Sequence, residues 1–233
     1  MVELLVAMSI TSVIMVVLFS LVGQSTAGFT QTQRAVNTIS QARAFIQFFG
    51  RELSTRLPDT PMIHEKGSGS GVGMSDKIAF VRTVSIDEQQ SATPGDLNLV
   101  HYYVAFTQDG ANTESPKLFR GTMDPGETQA VLTTPGTPSL PAADPLLDEP
   151  IVPNILSFTA TPRFYAGSPP VLSDWTSTST VKPSVIELTI RFIDDSSAQR
   201  FKTRAEWDRL ADSPRDSEIQ LIRTFTRSIA IAK

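Results

Sequence analysis

Between Glu3 and Arg34 the chain carries no charged side chain, and Leu4 to Val22 within that stretch reads LLVAMSITSVIMVVLFSLV. As a helix this run is about 28 Å long, close to the hydrocarbon thickness of a bilayer. Its polar members, Ser9, Thr11, Ser12 and Ser20, can hydrogen-bond back to helix carbonyls. A helix apolar on every side needs cover from lipid, other helices or a large core. The averages of 40% hydrophobic and 19% charged residues therefore combine a greasy stem with a polar body. The 233 residues are ample for a buried core. A pI near 5.2 and net charge of -4 argue against a nucleic-acid partner. With no Cys, disulfides, thiolate zinc sites and cysteine nucleophiles are excluded. Two histidines, His64 and His101, disfavour a histidine metal site or a Ser-His-Asp triad.

Four readings meet at this N-terminus. A cleaved secretory signal has a site in Ser25-Thr26-Ala27, but Glu3 stands where a basic residue belongs and the apolar run is long. A plain membrane anchor fits the length and leaves the acid at its start unexplained. A buried core helix rarely stays charge-free for so long. The fourth reading rests on Val2-Glu3-Leu4-Leu5-Val6-Ala7-Met8-Ser9-Ile10.

These residues resemble the prepilin-type N-terminal methylation motif of the type IV pilin and type II secretion pseudopilin superfamily. There a short basic leader ends in Gly, and Phe-Thr-Leu precedes Val-Glu-Leu-Leu. The resemblance implies an assembly role for Glu3, paired with the N-terminal ammonium of a neighbouring subunit. It also implies a membrane or filament-core helix carrying Leu4, Leu5, Val6, Ile10, Val13, Ile14, Val17, Leu18 and Leu21. The physics agrees: a carboxylate at the mouth of an apolar helix is costly without a partner, and it sits well in the helix dipole. The bland reading is a Glu solvated among headgroups.

Beyond Gly23 and Gly28, apolar residues recur at Val36, Ile39, Ala42, Ile46, Phe49, Leu53 and Leu57, widened by Phe45 and Phe48. These steps of three and four predict one helical stripe, closed by Pro58 and Pro61. The expected helix is roughly 55 residues, about 80 Å long, with its second half packed on a sheet; a coiled-coil stalk is the alternative for that half.

Residues 65–75 read as a Gly/Ser linker, lacking the Gly-Lys-Ser/Thr of a phosphate loop. Lys77–Val84, Leu97–Thr107 and Lys117–Gly121 read as strands, with His101 packed or at an edge. Seven prolines between Pro125 and Pro153 predict a long loop able to carry a partner contact. Its acids Asp144, Asp148 and Glu149 lack the spacing of a calcium loop and read as solvated.

Ile155 to Phe158, Arg163-Phe164-Tyr165, a loop holding Trp175, and Lys182 to Leu188 follow in an order similar to the J-type minor pseudopilin. The Pro-rich insertion departs from that pattern. Ile186, Leu188, Ile190 and Phe192 alternate with Val185, Glu187, Thr189 and Arg191 as in a half-buried antiparallel strand. Ala205–Ala211 reads as a helical turn around Trp207, which precedes a final strand over Glu218–Ile231. Asp194-Asp195 reads as a hairpin turn, and Trp175 as sheet cover.

The expected class is α+β, pilin-like, with a long N-terminal helix, its first half membrane-spanning, packed on an antiparallel sheet domain. The expected segments are 1–28 for the transmembrane or filament-core helix, 29–57 for its amphipathic continuation, and 58–233 for the sheet domain with its Pro-rich loop 125–153. The expected function is a minor pseudopilin or pilin-like filament subunit, not an enzyme, with no cofactor and no metal. Implied partners are other pseudopilins through the helix, the inner membrane, and a prepilin peptidase acting on an upstream leader. The resemblance puts the globular part in the periplasm of a bacterium, single-pass. The alternative is a membrane-anchored periplasmic binding or adhesion protein of a prepilin-like cassette family. Because Val2-Glu3-Leu4-Leu5 appears without its usual preceding residues, the reading frame is expected to extend upstream of Met1. Sequencing the 5′ region should show a basic leader ending in Gly; in-frame stops directly before Met1 would count against the resemblance.

Overall fold

The computed structural model describes residues 2–84, 95–110, 113–134, 138–168, 170–176 and 181–231. It forms two compact units, Met1–Gln41 and Ala42–Lys233. Helix α1 (Val2–Ser54) provides all of the described secondary structure of the first unit and enters the second. No proline interrupts it, and Ala, Gln, Arg, Glu and Leu, all good helix formers, recur through its second half. It ends three residues before the expected Leu57 because the next backbone groups join a sheet. Leu57 N–H donates to the Val81 carbonyl (3.0 Å), and the Thr55 carbonyl accepts from Thr83 N–H (3.1 Å).

In the second unit, Ala42, Phe45, Phe49 and Leu53 of α1 are fully buried. Phe49 meets Tyr102 edge-on at 5.0 Å and Phe80 at 6.1 Å, and Phe45 meets Phe158 at 6.2 Å. The expected stripe thus starts at Ala42. Val36 and Ile39 are exposed.

The single expected sheet is two sheets. One has the order β1 (Met62–Glu65), β2 (Lys77–Thr83), β3 (Leu97–Gly110), β4 (Thr113–Met123), β5 (Glu149–Pro153). The other has the order β7 (Val171–Asp174), β6 (Ile155–Ala166), β8 (Val185–Ile193), β9 (Ile222–Ala230). All pairings are antiparallel. Ile78, Phe80, Tyr102 and Leu118 of the first sheet share one core with Phe158, Leu188, Ile190 and Phe192 of the second. Ser75 and Asp76 bracket the sheets: Asp76 N–H donates to the Phe158 carbonyl (2.7 Å), and the Phe158 and Ala160 amides donate to Ser75 Oγ (3.1 Å) and Asp76 Oδ2 (3.0 Å).

Local chemistry corrects several expectations. The Pro-rich segment 125–153 is not loop throughout. It opens as α2 (Pro125–Thr133), where Asp124 and Glu127 form a reciprocal capping box and Pro125 sits in the first turn, and it closes as β5; residues 135–137 of it lie outside those described. The Gly/Ser segment 65–75 holds a 3₁₀ turn over Gly71–Met74. The left-handed Gly71 (φ 64°) lies so close to Asp208 that a Cβ would fall 2.3 Å from its carboxylate. Asp194 is not in a hairpin turn: its carboxylate caps the short helix α3 (Asp195–Ala198), accepting from Ser196 and Ser197 N–H at 3.1 Å each. Helix α4 (Arg204–Asp212) buries Trp207, and a helical turn, α5 (Asp216–Ile219), precedes β9 where a strand from Glu218 was expected. Strand β4 is eleven residues, far longer than Lys117–Gly121. Among the described residues no helix is long and apolar enough to cross a membrane. The side chains of Leu4, Leu5, Val6, Ile10 and Val13 lie outside those described.

A chain shortened to begin near Val36 should fold and melt cooperatively, because every core residue of α1 is kept. One beginning at Pro58 loses Phe45, Phe49 and Leu53 and should aggregate. Within the full chain, Phe49→Ala should cost about 3–5 kcal/mol. Thermal melts and gel filtration check all three, and equal behaviour of the two shortened chains would contradict the packing.

Candidate functional site

The first unit offers a surface. Every residue from Ile14 to Gly23 is exposed, and ten consecutive residues turn through every direction around a helix. Ile14 (54%), Val17 (52%), Leu18 (52%) and Leu21 (56%) are joined by Met15, Val16, Phe19 and Val22, with Phe29 further on. Ser12 Oγ donates to the Met8 carbonyl at 2.9 Å, so this hydroxyl is satisfied inside the helix. Glu3 is exposed in the first turn. Of the residues singled out in the sequence, Glu3 and this apolar set share one helix, and nothing among the described residues of the unit covers them.

The second unit holds the helix by a device the sequence reading missed. Glu52, between the core residues Phe49 and Leu53, is 3% exposed. Three strands converge on its carboxylate. Tyr102 Oη of β3 donates to Oε2. Arg120 of β4 donates to Oε1 through Nε (3.0 Å) and NH2 (2.6 Å), and Arg82 NH1 of β2 lies 3.5 Å from the same oxygen. Tyr102 and Arg120 are directly paired in the ladder, so both side chains leave the same face. Burial and the Glu52 carboxylate push the Tyr102 hydroxyl well above its ordinary range. For Arg120 burial pulls the other way, but the Glu52 contact prevails and raises it. The available signal was an arginine occupying an inward slot: Arg82 continues the alternation Ile78, Phe80, and Arg120 follows Leu118. An inward cation on two strands calls for a buried acid.

Asp148 is also committed to the fold. Asp148 accepts from Tyr103 Oη (2.6 Å) and Asp144 N–H (3.2 Å), with His101 Nε2 3.5 Å away. Glu149 lies 3.6 Å from Arg120. Among the described residues there is no group of three or more His, Cys, Asp or Glu arranged to hold a metal ion. His101 is buried, stacked on Tyr103 at 5.5 Å, and burial holds it below the usual histidine range, against the pull of Asp148. Asp76 is lowered: its burial works against that, and the His64 contact with the Gly67 and Ala160 amides outweighs it. The Gly71 and Val72 amides, which a phosphate loop would offer to a ligand, donate instead to Asp212 (2.7 Å) and Asp208 (3.0 Å). Trp175 is buried in the shared core with its indole N–H on the Val181 carbonyl (2.7 Å).

No protein-family model and no curated protein matches the chain. Among solved structures it is similar to a chain of the GspK-GspI-GspJ complex from the type 2 secretion system of enterotoxigenic Escherichia coli. That match has a TM-score of 0.37 and 12% identity, covering 84% of this chain and 97% of that one. It is also similar to a type IV-like pilin from Thermus thermophilus, with a TM-score of 0.42 and 10% identity over 83% and 95% of the two chains.

Glu52→Leu should destabilise the second unit by about 3–5 kcal/mol, because Arg120 loses both hydrogen bonds to its buried partner and keeps only the more distant Glu149. Adding Arg120→Met should recover much of that loss. Denaturant titration of the single and double variants measures the coupling, and additive losses would contradict the network.

Proposed function

We propose that the chain is a minor pseudopilin or pilin-like subunit of a type II secretion or type IV pilus-like filament, working by assembly and not by catalysis. One observation carries this reading: the exposed apolar surface that surrounds α1 from Ile14 to Val22. Exposed apolar surface of that extent marks a contact with lipid or protein. The other end of the same helix is fixed by Phe45, Phe49, Glu52 and Leu53. The Val-Glu-Leu-Leu start supports the same reading.

In this reading Leu4 to Val22 spans the bacterial inner membrane once before assembly, and the second unit lies in the periplasm. Other pseudopilins then cover the helix that lipid covered. Glu3 supplies the specificity: an apolar helix slides freely among others, whereas a carboxylate seeking an ammonium selects one axial position.

Glu3→Ala should leave membrane insertion intact, since it removes a charge from an apolar segment, and should reduce crosslinking to neighbouring subunits. Glu3→Asp should fall between, keeping the charge and losing reach. The assay is in-membrane cysteine crosslinking, for which a chain without native Cys is a clean background. Wild-type yield in Glu3→Ala at matched protein level would remove the assembly role from this residue.

A further inference from the structure

Leu146 and Leu147 are 94% and 85% exposed, and the turn that presents them is braced. Leu146 N–H donates to Asp144 Oδ1 (3.0 Å), and the Leu147 and Asp148 amides donate to the Asp144 carbonyl at 3.1 and 2.9 Å. Asp148 in turn accepts from Tyr103 and from Asp144 N–H. Two leucines held out in water by a hydrogen-bonded turn are pre-organised for a contact, since little ordering remains to be done on docking. Exposed Asp144 and Glu149 flank them. A surface that receives this knob needs an apolar floor and a basic rim.

The chain carries such a surface elsewhere. Among the described residues, edge strand β9 pairs only with β8. Its residues Arg223, Phe225, Arg227 and Ile229 stand opposite Phe192, Ile190, Leu188 and Ile186, all core residues, so these four share the core-side face. A Cβ on Gly50 of α1 would touch Ile229 at 3.8 Å, which places the helix alongside. Ile46, Phe225 and Ile229 pack on the core yet remain partly open. Arg43, Arg223 and Arg227 are exposed, and no carboxylate among the described residues pairs with them. The knob lies on the other side of the first sheet, because Tyr103 alternates with Tyr102, which faces α1.

We propose that the Leu146-Leu147 knob of one copy docks on the α1/β9 shelf of a second copy, with Asp144 and Glu149 meeting Arg43, Arg223 and Arg227. The contact joins two different surfaces of the same chain, so it propagates in one direction instead of closing a symmetric pair. This inference rests on the filament reading and names the contact between globular units within it.

The test uses the full chain in cell membranes. Copies bearing Ala143→Cys are co-expressed with copies bearing Gln47→Cys and treated with a short bis-maleimide. A mixed dimer is expected, with its yield falling about tenfold when Leu147→Asp or Arg227→Glu is added. Val17→Cys in both copies reports packing of the stem helices. If the stem pair links and the knob–shelf pair does not, the docking is overturned and the filament reading stands. If the mixed dimer forms and is indifferent to Leu147→Asp, the docking is overturned. If neither pair links, this contact falls, together with any filament in which two copies of this chain adjoin.

Discussion

A carboxylate buried on an otherwise apolar helix face must be met wherever the helix rests, and Glu52 is that carboxylate. Phenyl rings and aliphatic groups tolerate sliding, because one apolar contact can replace another at modest cost. Glu52 does not tolerate it, since its oxygens are answered only where Arg82, Tyr102 and Arg120 converge from three neighbouring strands. Moving α1 by one turn, about 5.4 Å, would strand an acid and two cations away from water. The ion cluster therefore sets rotation and axial register, while Phe45, Phe49 and Leu53 supply most of the burial. Arg120 extends the arrangement outward, lying over the Phe48 ring at 5.6 Å and near Glu149 of β5.

Much of this was legible in the chain and some was not, for physical reasons. The helix over most of 2–57 followed from periodicity and the absence of proline. The strands at Lys77 and Leu97 followed from their β-branched and aromatic residues and the one at Val185 from its alternation, and their starts agree with the structure. The two-sheet division was not legible. It depends on Ser75 and Asp76 binding the backbone of β6 more than eighty residues away, and an isolated Ser-Asp pair has no pattern. Helix α2 was obscured by the proline count around it, although Asp124-Pro125-Gly126-Glu127 spells a capping box. Glu52 was hidden because polar residues surround the stripe on a helix, and only the strand arginines point to it.

The segments that composition marks as featureless turn out to be anchors. Gly71 and Val72 give their amides to Asp212 and Asp208, fastening the 3₁₀ turn to α4. Trp207 of that helix then reaches the Glu114 carbonyl on β4 at 2.9 Å. Short glycines and loop acids work here through backbone groups, which sequence patterning does not register.

Gly121 stands opposite His101 in the β3–β4 ladder, and a Cβ there would fall 2.1 Å from the imidazole. The ring lies flat because the facing residue has no side chain, and from that position it adjoins Asp148, which holds the 144–148 turn. In evolutionary language the two positions form one epistatic locus. Any larger residue at 121 is viable only with a smaller one at 101, and surface drift at Leu146 and Leu147 is conditioned by a pair of sites that never reach solvent.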